Sequence, residues 1–248
     1  MKEKSVLLNE NFNTKLKLQI TKKDGIYSII YFLYYMLTIF LFGLLLFKTQ
    51  IYENLGSNFS SKPFFRFLFY IPFVIIEILP IFIILKIRNQ SISSIGIKTN
   101  STIRSILIGV IGSIPFSILN MIGPISGGMK INPNNFDLLW TFLYFFICIA
   151  FSEELAFRGF LQTRIQGLII NKWLGIVVVG LLFGFMHIPF QMLKANMSLV
   201  DFILSDMSHL ITTCVIHIYL VFLFRKSNNL IAPIVTHTIM DFSYAMFV

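Results

Sequence analysis

Three short stretches put groups capable of acid and base chemistry at helical spacing: EELAFR with Glu154 and Arg158, FGFMH with Phe183 and His187, and HTIMD with His237 and Asp241. Residues four apart share one face of a helix, about 5–6 Å from each other. Glu153 points about 100° away from Glu154, so one carboxylate can pair while the other faces a cavity. Two histidines and one free carboxylate are enough to polarise a water molecule. Asp241, one turn beyond His237, can hold one ring nitrogen and so fix which nitrogen faces the site. The plainer readings are that Glu154 and Arg158 form an intrahelical ion pair supporting a helix end, that Glu153 meets cytoplasmic water, and that His187 is a satisfied core histidine. His209 and His217 have no carboxylate four residues on and read as packing or cavity-lining groups.

The solvent around these groups follows from composition. Apolar residues make up 56% of the 248-residue chain and charged residues 12%, with a mean hydropathy of +0.80, far from the usual soluble mixture. A span needs about 20 mainly apolar residues, and seven stretches qualify: 27–47, 67–85, 103–122, 136–151, 174–190, 207–224 and 230–248. The fourth, fifth and seventh are short or polar. With no edge strands or alternating ten-residue segments the pattern does not favour a β-barrel, and the expected fold is all-α, a polytopic membrane bundle of about seven to eight helices. An ionisable group at membrane depth costs about 2.5–3.5 kcal/mol on insertion scales and usually marks a function. Glu153, Glu154, His187, His237 and Asp241 concentrate five such groups in the second half of the chain.

The net charge of +9 is distributed by topology. On a seven-span reading fifteen of the twenty Lys and Arg fall on the side of the N-terminus, and Lys48, Lys62, Arg66, Lys130 and Lys194 on the other. That bias places the N-terminus in the cytoplasm and the C-terminus outside. It is no nucleic-acid footprint. The long polar leader and the long first apolar run do not fit a cleaved signal, so the first span is expected to stay as an anchor. Cys148 and Cys214 fall within spans as small apolar residues. The expected organisation is a cytoplasmic tail over 1–26, a three-span region over 27–122 and a polar-bearing helix bundle over 136–248, with turn-rich linkers at 89–102 and 123–135.

EELAFR, FGFMH and NNLIAPIVTHTIMD resemble, in order, the three motifs of the CAAX-protease and bacteriocin-processing family of intramembrane endopeptidases. The resemblance implies that Glu153 works with His187 to activate the hydrolytic water. It implies that Glu154 and Arg158 support the site or contact substrate, and that His237 and Asp241 stabilise the oxyanion. The family often has Asn at the last position. An ionised aspartate only accepts hydrogen bonds, so Asp241 is expected to orient His237 and favour its protonated form. Glu153, His187 and His237 also make an acceptable zinc set, although HExxH is absent. The reading is therefore no required cofactor, with zinc as the alternative.

The implied partners are a membrane-associated peptide or protein substrate and the lipid bilayer, without nucleic acid. The implied location is multi-pass in the plasma (cell) membrane, and the implied roles are bacteriocin processing or self-immunity. Glu153, at the inner end of the expected fourth span, places cleavage near the cytoplasmic face. Two further readings stand beside this one: a non-catalytic immunity or scaffold protein, and a transporter. Glu77, between Pro72 and Pro80, favours the transporter, which would need a broken helix and two related halves.

Overall fold

The computed structural model describes residues 20–99 and 101–248. Among them lie nine helices: α1 Lys22–Lys48, α2 Ile51–Gly56, α3 Lys62–Ile87, α4 Thr102–Ser126, α5 Asn135–Gly167, α6 Lys172–Ala195, α7 Leu199–Ser205, α8 Met207–Ser227 and α9 Ile231–Ala245. Setting aside the short α2 and α7, seven helices form the bundle, and six of these (α1, α3, α4, α5, α6 and α8) are long and apolar enough to cross a membrane. The protein is an all-α integral membrane protein. The expected tail over 1–26 lies mostly outside the described residues, and its last part is already helical, because α1 begins at Lys22 behind the capping Thr21.

Two expectations about spans change. The fourth span does not end at residue 151: α5 runs on for 33 residues, about 50 Å, so Glu153 lies near its middle and not at its inner end. Polarity at Ser152, Glu153 and Glu154 mimicked a helix terminus, but the carboxylates are held inside the bundle. The seventh stretch, expected over 230–248, forms a helix of only 15 residues, about 22 Å, too short to count as a span by length. It is instead packed along α4, where Gly109 and Gly112 let the two helices touch. A Cβ on Gly109 would stand 2.7 Å from the Ala232 carbonyl oxygen, and the Thr236 hydroxyl donates to the Gly109 carbonyl. Small residues at such crossings are what permits close contact between helices in lipid.

Polar side chains set the helix starts. Asn134 accepts from the Phe136 and Asp137 amides before α5, and Asn171 from Trp173 and Leu174 before α6, satisfying donors that have no partner inside the helix. Asn196 ends α6 in the left-handed region at φ 54°. Around Glu153 and Glu154 the α5 backbone is wound wider, with π-helical turns at Tyr144–Phe151 and Leu155–Leu161. Such turns are frequent where a helix carries a functional group. The buried core lies between α1, α5 and α6, with Tyr31 edge-on to Phe160 and Tyr35 edge-on to Phe157.

Candidate active site

The chemistry-bearing residues converge from α3, α5, α6 and α9 on one cavity of about 730 Å³, within the size range of small-ligand and peptide sites. Glu153, His187, His237, Asp241 and Glu77 line it; Glu154 and Arg158 stand behind it. The adjacent glutamates divide as their helical phase requires. Glu154 is fully buried. Glu153 is partly exposed to the cavity, and its buried Oε2 has no hydrogen-bond partner among the described residues.

Glu154 ties α5 to α9, and its partner Arg158 reaches α6. Its Oε1 lies 3.0 Å from Arg158 Nη1, with both side chains fully buried, and 2.9 Å from His237 Nδ1. The Arg158 contact is an ion pair without hydrogen-bond alignment, since none of its guanidinium nitrogens makes an aligned bond among the described residues. Its remaining support is the face of Phe183, 4.0 Å from the guanidinium carbon to the ring centroid, a cation over an aromatic quadrupole. Phe183 also acts through its backbone, accepting from His187 Nδ1 at 2.8 Å. With that nitrogen donating, the Nε2 of a neutral His187 is left as an acceptor. One residue of FGFMH thus steadies the arginine with its ring and the histidine with its carbonyl.

His237 is held from both sides, by Glu154 at Nδ1 and by Asp241 Oδ2 at 3.4 Å from Nε2. Sequence spacing pointed to Asp241 as its orienter, but the shorter contact comes from Glu154, 83 residues away in the chain. No local pattern could have revealed that pairing. Both ring nitrogens therefore face carboxylates, and His237 offers no free lone pair to a metal. Among the described residues no three His, Cys, Asp or Glu side chains gather as a metal-ligand group. The Glu153, His187 and His237 set does not fit zinc.

The other histidines separate. His217 is fully buried, its Nε2 3.1 Å from Gln162 Oε1, while His209 is exposed, lines the cavity and pairs with Asp206 at 2.9 Å. Cys148 and Cys214 are free thiols. Glu77 was the missed member of the site. α3 runs unbroken for 26 residues through Pro72 and Pro80, so the discontinuous helix a transporter reading calls for is absent, and Glu77 joins the same cavity as Glu153.

Residues 135–243 match the family model described as type II CAAX prenyl endopeptidase, Rce1-like. This stretch of the chain is Rce1-like. The match covers α5 through nearly all of α9, so every residue singled out in the three motifs falls inside the Rce1-like region, while α1, α3 and α4 precede it. Protease activity of the CAAX type is what the match supports. Comparison with curated proteins and with solved structures finds no match to the chain.

Proposed function

We propose that this protein is an intramembrane endopeptidase that hydrolyses a membrane-associated peptide or protein by direct attack of water. The observation that carries the reading is the split between the adjacent glutamates. Glu154 is buried behind the cavity, its Oε1 spent on Arg158 and His237, whereas Glu153 lines the cavity that His187 and His237 share and, among the described residues, forms no ion pair with an arginine or histidine.

In the proposed reaction Glu153 accepts a proton from a water molecule whose other hydrogen is directed to His187 Nε2. The resulting hydroxide oxygen bonds to the scissile carbonyl carbon, and the carbonyl oxygen takes the negative charge. The His237 Nε2–H, whose 3.4 Å contact with Asp241 is too long for a strong hydrogen bond, donates to that oxyanion. Collapse of the intermediate breaks the C–N bond, and the proton on Glu153 passes to the leaving nitrogen, giving a carboxylic acid and an amine; transfer of the acid proton then leaves a carboxylate and an ammonium group. No metal takes part. Asp241 positions His237, and Arg158 holds Glu154 in register.

The N-terminus is proposed to be cytoplasmic, from the charge asymmetry, and the membrane the plasma membrane. A prenylated peptide ending in a CAAX sequence is the natural first probe, given the family matched. Purified wild type should cleave it, or another membrane peptide, and Glu153→Gln should not, although Glu153→Gln inserts and accumulates normally. A Glu153→Gln protein that still turns over would falsify the assignment of the base.

A further inference from the structure

The cavity occupies one half of the bundle only. Its deepest lining residues are Tyr35 on α1, Glu77 on α3, Glu153 on α5, Phe183 on α6, Ile216 on α8 and His237 on α9. On α1 and α6 lining residues follow these positions, and on α3, α5 and α8 they precede them, which in each case leads toward the same end of the bundle. That end carries the 49–61, 127–134 and 196–206 connections, and it is identified by contacts across it. Ser61 donates to Asp137, and the Val248 amide donates to the Lys130 carbonyl. The cavity rim there includes the exposed Phe47, Glu53, Lys194 and His209.

The opposite end is closed. Beneath the cavity floor Tyr31, Phe157 and Phe160 are almost wholly buried. Beyond them Arg164 donates to Gln90 and Ser94, Gln90 donates to Asp24, and Arg88 pairs with Asp24 at 2.8 Å. This polar layer ties α1, the 88–95 segment and the end of α5 together at the end where α1 begins.

The closed end is also the basic one. Among the described residues, and setting aside Arg158, which is buried in mid-bundle, ten Lys and Arg belong to the closed end against five at the open end. Excess Lys and Arg mark the cytoplasmic side. We infer that the active-site cavity is entered from the non-cytoplasmic side of the membrane, so that its substrates are peptide segments presented at the outer leaflet. The substrate half of this inference rests on the endopeptidase reading; the direction of entry does not. It reverses the expectation, drawn from a short fourth span, that cleavage occurs near the cytoplasmic face. That expectation rested on a helix end at residue 151, whereas α5 continues past Glu153 for four more turns, and those turns belong to the closed end.

Single cysteines placed in a Cys148→Ser, Cys214→Ser background test the direction without any need for activity. Ser57→Cys marks the open end, Gln191→Cys the cavity wall, and Ser93→Cys the closed end; each is treated with a membrane-impermeant sulfonated maleimide in intact cells and after permeabilisation. Labelling of Ser57→Cys and Gln191→Cys in intact cells, with Ser93→Cys labelled only after permeabilisation, is the expected result. Labelling of Ser93→Cys in intact cells, or of Gln191→Cys only after permeabilisation, overturns the inference. A Gln191→Cys that stays unlabelled under both conditions also overturns it, because the cavity is then closed. Since labelling is read separately from cleavage, failure of the entry direction and failure of the protease reading are distinguishable.

Discussion

Replacing Arg158 with alanine should unfold the protein at a markedly lower temperature, and the structure sets the scale. Both partners of the Arg158–Glu154 pair are fully buried, so the variant strands a carboxylate whose remaining contact is His237. Breaking a buried pair from one side costs about 3–5 kcal/mol. Loss of the guanidinium from the Phe183 face, a contact of about 2 kcal/mol when desolvated, overlaps with that figure and is not added to it. For a chain of this length about 2–4 °C accompanies each kcal/mol, so the melting temperature should fall by about 6–20 °C. The assay is thermal unfolding of purified protein in detergent, read by intrinsic fluorescence, with cleavage measured in parallel. The double variant Glu154→Gln, Arg158→Gln removes both charges and should melt above Arg158→Ala, because no uncompensated charge is then left buried. An Arg158→Ala protein that melts within about 2 °C of wild type refutes the argument that this ion pair organises the site.

Three other outcomes follow from the same geometry. Asp241→Asn should retain activity that survives a strong chelator, since Glu154 still holds His237 and the amide can donate to an oxyanion; chelator-sensitive cleavage restored by added zinc would show that the donor arrangement has been misread. Gly109→Leu should lower stability by about 1–3 kcal/mol, because its side chain meets the Ala232 carbonyl and Val235; normal detergent stability would mean that α4 and α9 are not packed this closely. Phe183→Leu removes the ring but not the carbonyl that holds His187, so it should cost stability, measured by melting, more than it raises KM.

Much of this site could be read from the three short stretches, because helical spacing fixes what shares a face. Glu154 with Arg158 and His237 with Asp241 are found as neighbours for that reason. The phase difference between Glu153 and Glu154 was readable in the same way. Contacts between helices were not: Glu154 to His237 and Arg158 over Phe183 depend on how α5, α6 and α9 cross. Span limits misled where polarity and helix end were treated as one signal. Buried carboxylates made α5 look finished at residue 151, and hydropathy alone gave α9 a length that its 15-residue helix does not have. Glu77 was visible as a mid-membrane acid, yet its place beside Glu153 in the cavity needed the fold. The basic side of the membrane was readable from the start; which end of the bundle holds the cavity was not.

The most direct test of the central claim compares the membrane peptidomes of cells carrying wild-type protein and cells carrying Glu153→Gln, at matched protein abundance. The account predicts a set of cleavage products, with new carboxylate and amine ends, that is present with wild type and lost with Glu153→Gln. Identical peptidomes at equal abundance would contradict it, and would leave the cavity, with its buried glutamates, without the hydrolytic role assigned to it.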